Sequence, residues 1–348
     1  MSLQSVLVVK LGAIGDTIHA IPAVTALKAL LPDCQLTWCV ENRSAAMVEC
    51  LSPVSRVIRL HTHGWRHGRH LAGSKSPWRS FRDIRDTRYD VVVDFQGLLK
   101  SAAVVRLART DHRIGWARAS LREPAAARFY DEHVDAGSGH VIDRCARLVA
   151  PLGVTLPVPR VFPFQLPASA AVRAEKERCA LDGRPFIMIN PGAGWPTKQW
   201  PAEHYAQVGR LVRERLAREI VVTHGPREEH LVERMRNEDS RIRPLRLNLT
   251  ELAALAGHAD CFLSGDTGPM HIASASGAPV VALFGPTDPD RNGPFHPDDI
   301  ALHRTLPCSN SYKRRCDEAM HRCMDFTVEE VFAAVARRLQ SAEAASEQ

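Results

Sequence analysis

The sequence predicts an α/β protein made of two Rossmann-like domains with parallel sheets. Three observations carry this. Short apolar runs alternate with helical stretches along all 348 residues. Residues 151–167, PLGVTLPVPRVFPFQLP, hold five prolines and read as the break between two such series. The stretch Cys261 to Pro289 joins a strand, a short helix and a strand too tightly for anything but a parallel pair. The expected division is an N-terminal domain over 1–155, a linker over 156–167, a C-terminal domain over 168–326, and a helix and tail over 327–348.

Composition narrows the class. Hydrophobic residues make up 45% and charged residues 24%, ordinary globular usage. No apolar run reaches the roughly 20 residues that span a bilayer. Nine scattered cysteines resemble no secreted framework, so a cytoplasmic location is expected. The net charge of +6 is local. Residues 56–88 hold nine Lys/Arg against two Asp/Glu, a segment charge of +7, so the remainder sums to −1. One basic patch implies one acidic partner and speaks against a general nucleic-acid surface.

Taken in order, Val6–Lys10 reads as a strand, followed by the glycine loop Leu11–Asp16 and an apolar helical run over Ile18–Leu31. Pro22 predicts a kink or a late start there. Asp16 sits at the helix N-terminus. The loop has neither the dinucleotide nor the P-loop glycine spacing. Leu36–Val40, Val57–Leu60 and the strongly apolar Tyr89–Asp94 are further strands. Between the last two, HTHGWRHGRHLAGSKSPWRSFRDIR carries His61, His63, His67 and His70 with no acid or thiol among them, which weakens a metal reading. Its cations and Trp65 and Trp78 better suit a clamp for phosphate or carboxylate groups. Leu98–Leu107 reads as a helix with Lys100 in its first turn. Arg113–Trp116 is a short strand, Arg122-Glu123-Pro124 opens a segment to Tyr130, and His140 precedes a helix over Val141–Ala150.

In the second series, Phe186–Asn190 is a strand leading into Pro191–Trp200. A helix over Pro201–Ala217, a strand over Glu219–Thr223 and a helix over Arg227–Arg236 follow, and Leu249-Thr250-Glu251 caps a helix ending at Gly257. Cys261–Leu263 is a strand and Ser264–Gly268 a turn. Pro269 suits the first helical turn, Gly277 a helix stop, and Pro279–Phe284 the next strand. The tail is helical from Thr327.

A helix N-terminus at the carboxyl edge of a parallel sheet suits a phosphate. Thr267 and Gly268 are therefore expected to cradle a diphosphate. Lys198 follows a Gly-rich turn and can face the same group. Glu228 follows a strand and can accept ribose hydroxyls. Asp266-Thr267-Gly268 also matches aspartic proteases, but no second copy provides the paired carboxylate. Hydride transfer would need the dinucleotide fingerprint, which neither half has. Asp288-Pro289-Asp290 has a metal-binding spacing that turn chemistry explains equally well.

Gly15-Asp16, Asp94–Ser101, Arg122-Glu123-Pro124, Lys198–Pro201, Asp266-Thr267-Gly268 with His271, and Gly285–Pro289 follow one another along the chain. In this order they resemble the motifs of the lipopolysaccharide heptosyltransferases of glycosyltransferase family 9. The resemblance implies a GT-B fold, two Rossmann-like domains with parallel sheets facing a central cleft. It implies inverting transfer of L-glycero-D-manno-heptose from ADP-heptose to an inner-core acceptor, with Asp16 as general base and Lys198 on the leaving group. Gly15, Thr197, Glu228, Asp266, Thr267, Gly268 and His271 would surround the nucleotide sugar. Arg66, Arg69, Lys75, Gln96, Lys100, Arg122 and His140 would face a Kdo-lipid A acceptor at the inner face of the cytoplasmic membrane, the protein attached peripherally. No cofactor or metal is expected.

The run Gln96–Ala102 and Arg122-Glu123-Pro124 are most similar to the heptosyltransferase I subtype. Two features depart from it, the loop Lys10–Ile14 and the tail cysteines Cys308, Cys316 and Cys323. The latter resemble clusters in heptosyltransferase II and protein heptosyltransferases, so the acceptor stays open between a first and a second heptose. His303 or His321 could join those thiols, but their spacing is not that of a zinc knuckle. The rival of another class is a hinged nucleotide-sugar-binding protein without catalysis, which would have no use for a carboxylate at Asp16.

Overall fold

The computed structural model describes residues 3–61, 77–316 and 322–346. The chain divides into two compact units, Met1–Gln165 and Leu166–Gln348.

The first unit runs β1 (Ser5–Val9), α1 (Ile14–Leu30), β2 (Gln35–Glu41), α2 (Asn42–Glu49), β3 (Arg56–Leu60), α3 (Pro77–Arg85), β4 (Val91–Asp94), α4 (Leu99–Leu107), β5 (Arg113–Trp116), β6 (Glu132–Val134) and α5 (Val141–Arg147). Among the described residues its sheet has six parallel strands in the order β3-β2-β1-β4-β5-β6. β1 is central, and its Val6–Val9 are all apolar and buried, as in a strand covered on both faces. Ile18, Ile21, Val24 and Leu27 of α1 are buried. α1 starts earlier than expected. The Asp16 carboxylate reaches back to the Ala13 N–H at 3.1 Å and starts the helix at Ile14, and the helix runs through Pro22 without a break.

The second unit runs α6 (Ala168–Cys179), β7 (Phe186–Asn190), α7 (Ala202–Leu216), β8 (Glu219–Thr223), α8 (Glu229–Glu238), β9 (Arg243–Leu245), α9 (Leu249–Ala256), β10 (Cys261–Gly265), α10 (Gly268–Ala275), β11 (Val280–Phe284), α11 (Pro289–Asn292), β12 (Ile300–His303) and α12 (Val328–Ser346). Its described sheet is again six-stranded and parallel, ordered β12-β11-β10-β7-β8-β9. Counted from its own first strand, this repeats the strand order of the first unit. Tyr205, Val208 and Val212 of α7 and Val331, Val335 and Leu339 of α12 share one core with Ile187, Ile189, Leu263 and Leu283 of the sheet. α12 is thus a layer of this unit. Its Arg338 pairs with Asp299 at 3.0 Å, both buried, and Trp200 donates from its indole to the Phe326 carbonyl at 3.1 Å. The helix α9 is capped one residue earlier than expected. Asn248 Oδ1 accepts the Thr250 and Glu251 amides, and Glu251 returns the bond to Asn248 N at 2.8 Å.

In each sheet the strand order reverses between two neighbours, β1 and β4 in the first and β7 and β10 in the second. Open α/β sheets bind ligands outside the carboxyl ends of such a pair.

Candidate functional site

At the switch point of the second unit, Asp266 directly follows β10 and Lys198 ends the 3-10 turn Pro196–Lys198 that follows β7. Lys198 Nζ lies 2.5 Å from Asp266 Oδ2. The same oxygen accepts the buried Thr287 hydroxyl at 2.7 Å, and His271 Nε2 stands 3.5 Å from Oδ1. Asp266 is 7% exposed. Burial by itself would raise its carboxyl, but the His271 hydrogen bond and the Lys198 charge outweigh it and hold the group below the usual carboxylate range. The His271 ring stacks on Phe295 with centroids 6.0 Å apart.

Thr267 is the extended residue ahead of α10, and Pro269 sits in its first turn. First-turn amides of a helix lack intrahelical partners and attract anions. Lys198 Nζ also lies 4.4 Å from the Trp195 ring centroid. Glu228 Oε2 accepts the Gly225 N–H at 2.6 Å. Its carboxylate lies directly over Gly192, where a Cβ would come within 2.3 Å of it. The Thr197 hydroxyl is engaged within the protein. The residue is buried, and its hydroxyl donates to the Lys313 carbonyl at 2.8 Å. Asp288 serves turn chemistry, accepting the Asp290 N–H at 2.9 Å as the cap of α11.

The first unit has its own cluster at the β1/β4 switch point. Gln96 Oε1 accepts the N–H groups of Leu11 at 3.1 Å and Gly12 at 3.2 Å, tying the glycine loop to the end of β4. Buried Lys10 donates to the Phe95 carbonyl at 3.0 Å. Asp94 is fully buried and accepts the Gln96 and Gly97 amides and the Tyr130 hydroxyl, the last at 2.8 Å. Burial pushes its carboxyl upward while those bonds pull the other way. The motif Asp94–Ser101 is therefore a brace for the loop that carries Asp16. Gly97 has φ +68, and an added Cβ would strike Leu121 and Trp116.

Lys100 Nζ pairs with Glu41 at 2.9 Å, and Arg43 Nε pairs with the other carboxylate oxygen at 3.1 Å. The Arg43 guanidinium lies against Gly12. Neither Glu41 nor Arg43 was expected from sequence, although Glu41 ends a strand at this edge. Glu123 accepts the Leu99 N–H at 2.7 Å, capping α4, while its neighbour Arg122 is exposed and makes no ion pair among the described residues. His140 caps α5, its Nδ1 accepting the Ile142 N–H, and its ring meets that of His19 edge-on at 5.8 Å. Gly15 is buried in the first turn of α1, in the first unit. Arg66, Arg69, Lys75, His63, His67, His70, Trp65 and His321 lie outside the described residues, and nothing is described of the Trp78 side chain. Cys308 and Cys316 are exposed, while Cys323 is buried in the core of the second unit.

The model of Glycosyltransferase family 9 (heptosyltransferase) matches residues 78–321. The chain belongs to glycosyltransferase family 9. This family 9 enzyme is 30% identical over 318 residues to lipopolysaccharide heptosyltransferase 1 of Pseudomonas aeruginosa, covering 89% of this chain and 87% of that one. It is 31% identical over 303 residues to lipopolysaccharide heptosyltransferase 1 of Salmonella typhimurium, covering 85% and 93%. The solved E. coli heptosyltransferase WaaC with ADP superimposes with a TM-score of 0.78 at 24% identity, covering 96% of this chain and 100% of that one. The fold of this family 9 enzyme is thus the GT-B fold of the heptosyltransferases.

Proposed function

We propose that this glycosyltransferase moves L-glycero-D-manno-heptose from ADP-heptose, with inversion, to the Kdo region of a lipid A acceptor in lipopolysaccharide inner-core synthesis. The observation that carries the reading is the arrangement of Lys198, Asp266 and the start of α10 at one switch point, in a chain 30% identical to a lipopolysaccharide heptosyltransferase 1. In this reading the α10 amides and Lys198 take the diphosphate, and Glu228 takes the ribose hydroxyls. Asp16 removes the proton from the acceptor hydroxyl as that oxygen attacks the anomeric carbon, and the bond to ADP breaks. Lys198 and the helix end meet the charge that develops on the leaving group. Gln96, Lys100, Arg122, His140 and the basic segment serve the acidic acceptor.

The chemistry assigned to Lys198 and the amides needs no metal, so activity is expected to survive chelation. Among the described residues no helix is long and apolar enough to cross a membrane. The basic segment supports peripheral attachment to an anionic leaflet, each cation near the surface adding about 1 kcal/mol. The test is purified protein with ADP-heptose and Kdo-lipid A, with and without a first heptose already attached. Transfer to the unsubstituted acceptor supports this reading. Transfer only to the substituted one reassigns the enzyme to the second heptose. ADP-heptose binding without transfer to either supports a hinged binding protein.

A further inference from the structure

The segment between β12 and α12 packs on the turns that follow β7 and β11. The Tyr312 N–H donates to the Pro286 carbonyl at 3.0 Å, and the Lys313 carbonyl accepts the buried Thr197 hydroxyl at 2.8 Å. Arg291 and Asn292 of α11 both donate to the Tyr312 hydroxyl at 3.3 Å. The strap is therefore fastened to the turn that carries Lys198 and to the turn that carries Thr287. The next side chain, Arg314, places its guanidinium carbon 5.0 Å from the Trp195 ring centroid, and Lys198 Nζ lies 4.4 Å from the same ring. Two cations thus share one indole beside the start of α10.

Their charges differ in status. Lys198 is matched by Asp266 at 2.5 Å, so that pair is neutral. Arg314 is exposed and has no carboxylate partner among the described residues. A nucleoside diphosphate brings more negative charge than a neutral pair and a helix end can balance. A planar guanidinium held against an aromatic face is well suited to phosphate oxygens.

We infer that Arg314 is a second phosphate-binding cation of the nucleotide site, delivered by the strap. The inference rests on the ADP-sugar reading above and adds a residue to it. The experiment is calorimetric titration of the full chain with ADP and with adenosine, for the wild type, Arg314→Ala, Arg314→Lys and Arg315→Ala. The expected result is ADP affinity reduced about tenfold in Arg314→Ala, the range of one lost charge-assisted contact. Adenosine affinity should be unchanged, Arg314→Lys should recover part of the loss, and Arg315→Ala should stay near wild type. An equal loss for adenosine would move Arg314 to the base and overturn the inference. So would equal losses in Arg314→Ala and Arg315→Ala, or no loss for ADP. A wild type that does not bind ADP would instead sink the ADP-sugar reading itself. Arg314 is exposed, so matching thermal melts are expected and check that the fold is intact.

Discussion

The Lys198 ammonium and the Asp266 carboxylate are 2.5 Å apart at the carboxyl edge of the second sheet. The pair joins the turn after β7 to the end of β10, the two strands that flank the switch point. Asp266 also holds Thr287 and His271. One carboxylate therefore ties two loops to the first turns of α10.

Replacing Asp266 with Asn should leave a largely buried ammonium without its counter-charge. Losing one partner of such a pair costs about 3–5 kcal/mol. The folded carboxyl is held below its unfolded value, so its contribution is complete above the unfolded value near pH 4 and fades as pH falls through the folded one. Urea unfolding should therefore show a wide gap between wild type and Asp266→Asn at pH 7, narrowing steadily below about pH 4. A gap constant from pH 7 to pH 2 would remove the carboxylate from this role.

Asp16→Asn keeps an oxygen able to accept the Ala13 N–H, so α1 should start as before. What it loses is the base. Turnover should drop about 10²–10⁴-fold while ADP affinity stays level. Near-normal turnover would take Asp16 out of the mechanism.

Gly192→Ala would place a methyl group where the Glu228 carboxylate lies. The carboxylate can move, so the fold should survive with little change in melting temperature. ADP affinity should fall, and the fall should be much smaller for 2′,3′-dideoxy-ADP, which has no ribose hydroxyls to lose. Equal falls for both ligands would separate Glu228 from the ribose.

Arg122 stands exposed while Glu123 fastens the same turn to α4. Arg122→Ala, and joint neutralisation of Arg66, Arg69 and Lys75, should each raise the acceptor KM and leave ADP affinity alone. A weaker hold on ADP in either variant would reassign those cations to the donor.

Much of the fold is legible because both faces of each sheet are covered. β11 then reads as an unbroken apolar run and β4 as one closed by Asp94, and the helix start at Thr267-Gly268-Pro269 reads from its own chemistry. Of the edge strands, β3 was legible, and β6, β9 and β12 were not. β9 has three residues, one of them Pro244, which only an edge strand tolerates, and β12 is half-exposed along its length. α2 is eight residues long, too short for a helical period to emerge. In the candidate sites, Lys198, Glu228 and Asp266 could be read because each closes a strand or turn. Thr287, Glu41, Arg43 and Arg314 could not, because their roles depend on partners distant in sequence. The bond of the Thr197 hydroxyl to the Lys313 carbonyl was not legible either, since its partner lies far along the chain.

The burial of α12 against β10 and β11 governs when the nucleotide site can exist. Every residue assigned to the nucleotide precedes Thr327, yet Val331, Val335 and Leu339 complete the core beneath those strands, and Arg338 closes on Asp299. On the ribosome, the loops around Lys198 and Asp266 emerge long before the helix that seals the sheet behind them. Binding at the proposed nucleotide site is thus expected to need α12, and a premature stop before that helix is expected to abolish it while deleting none of the residues assigned to the donor.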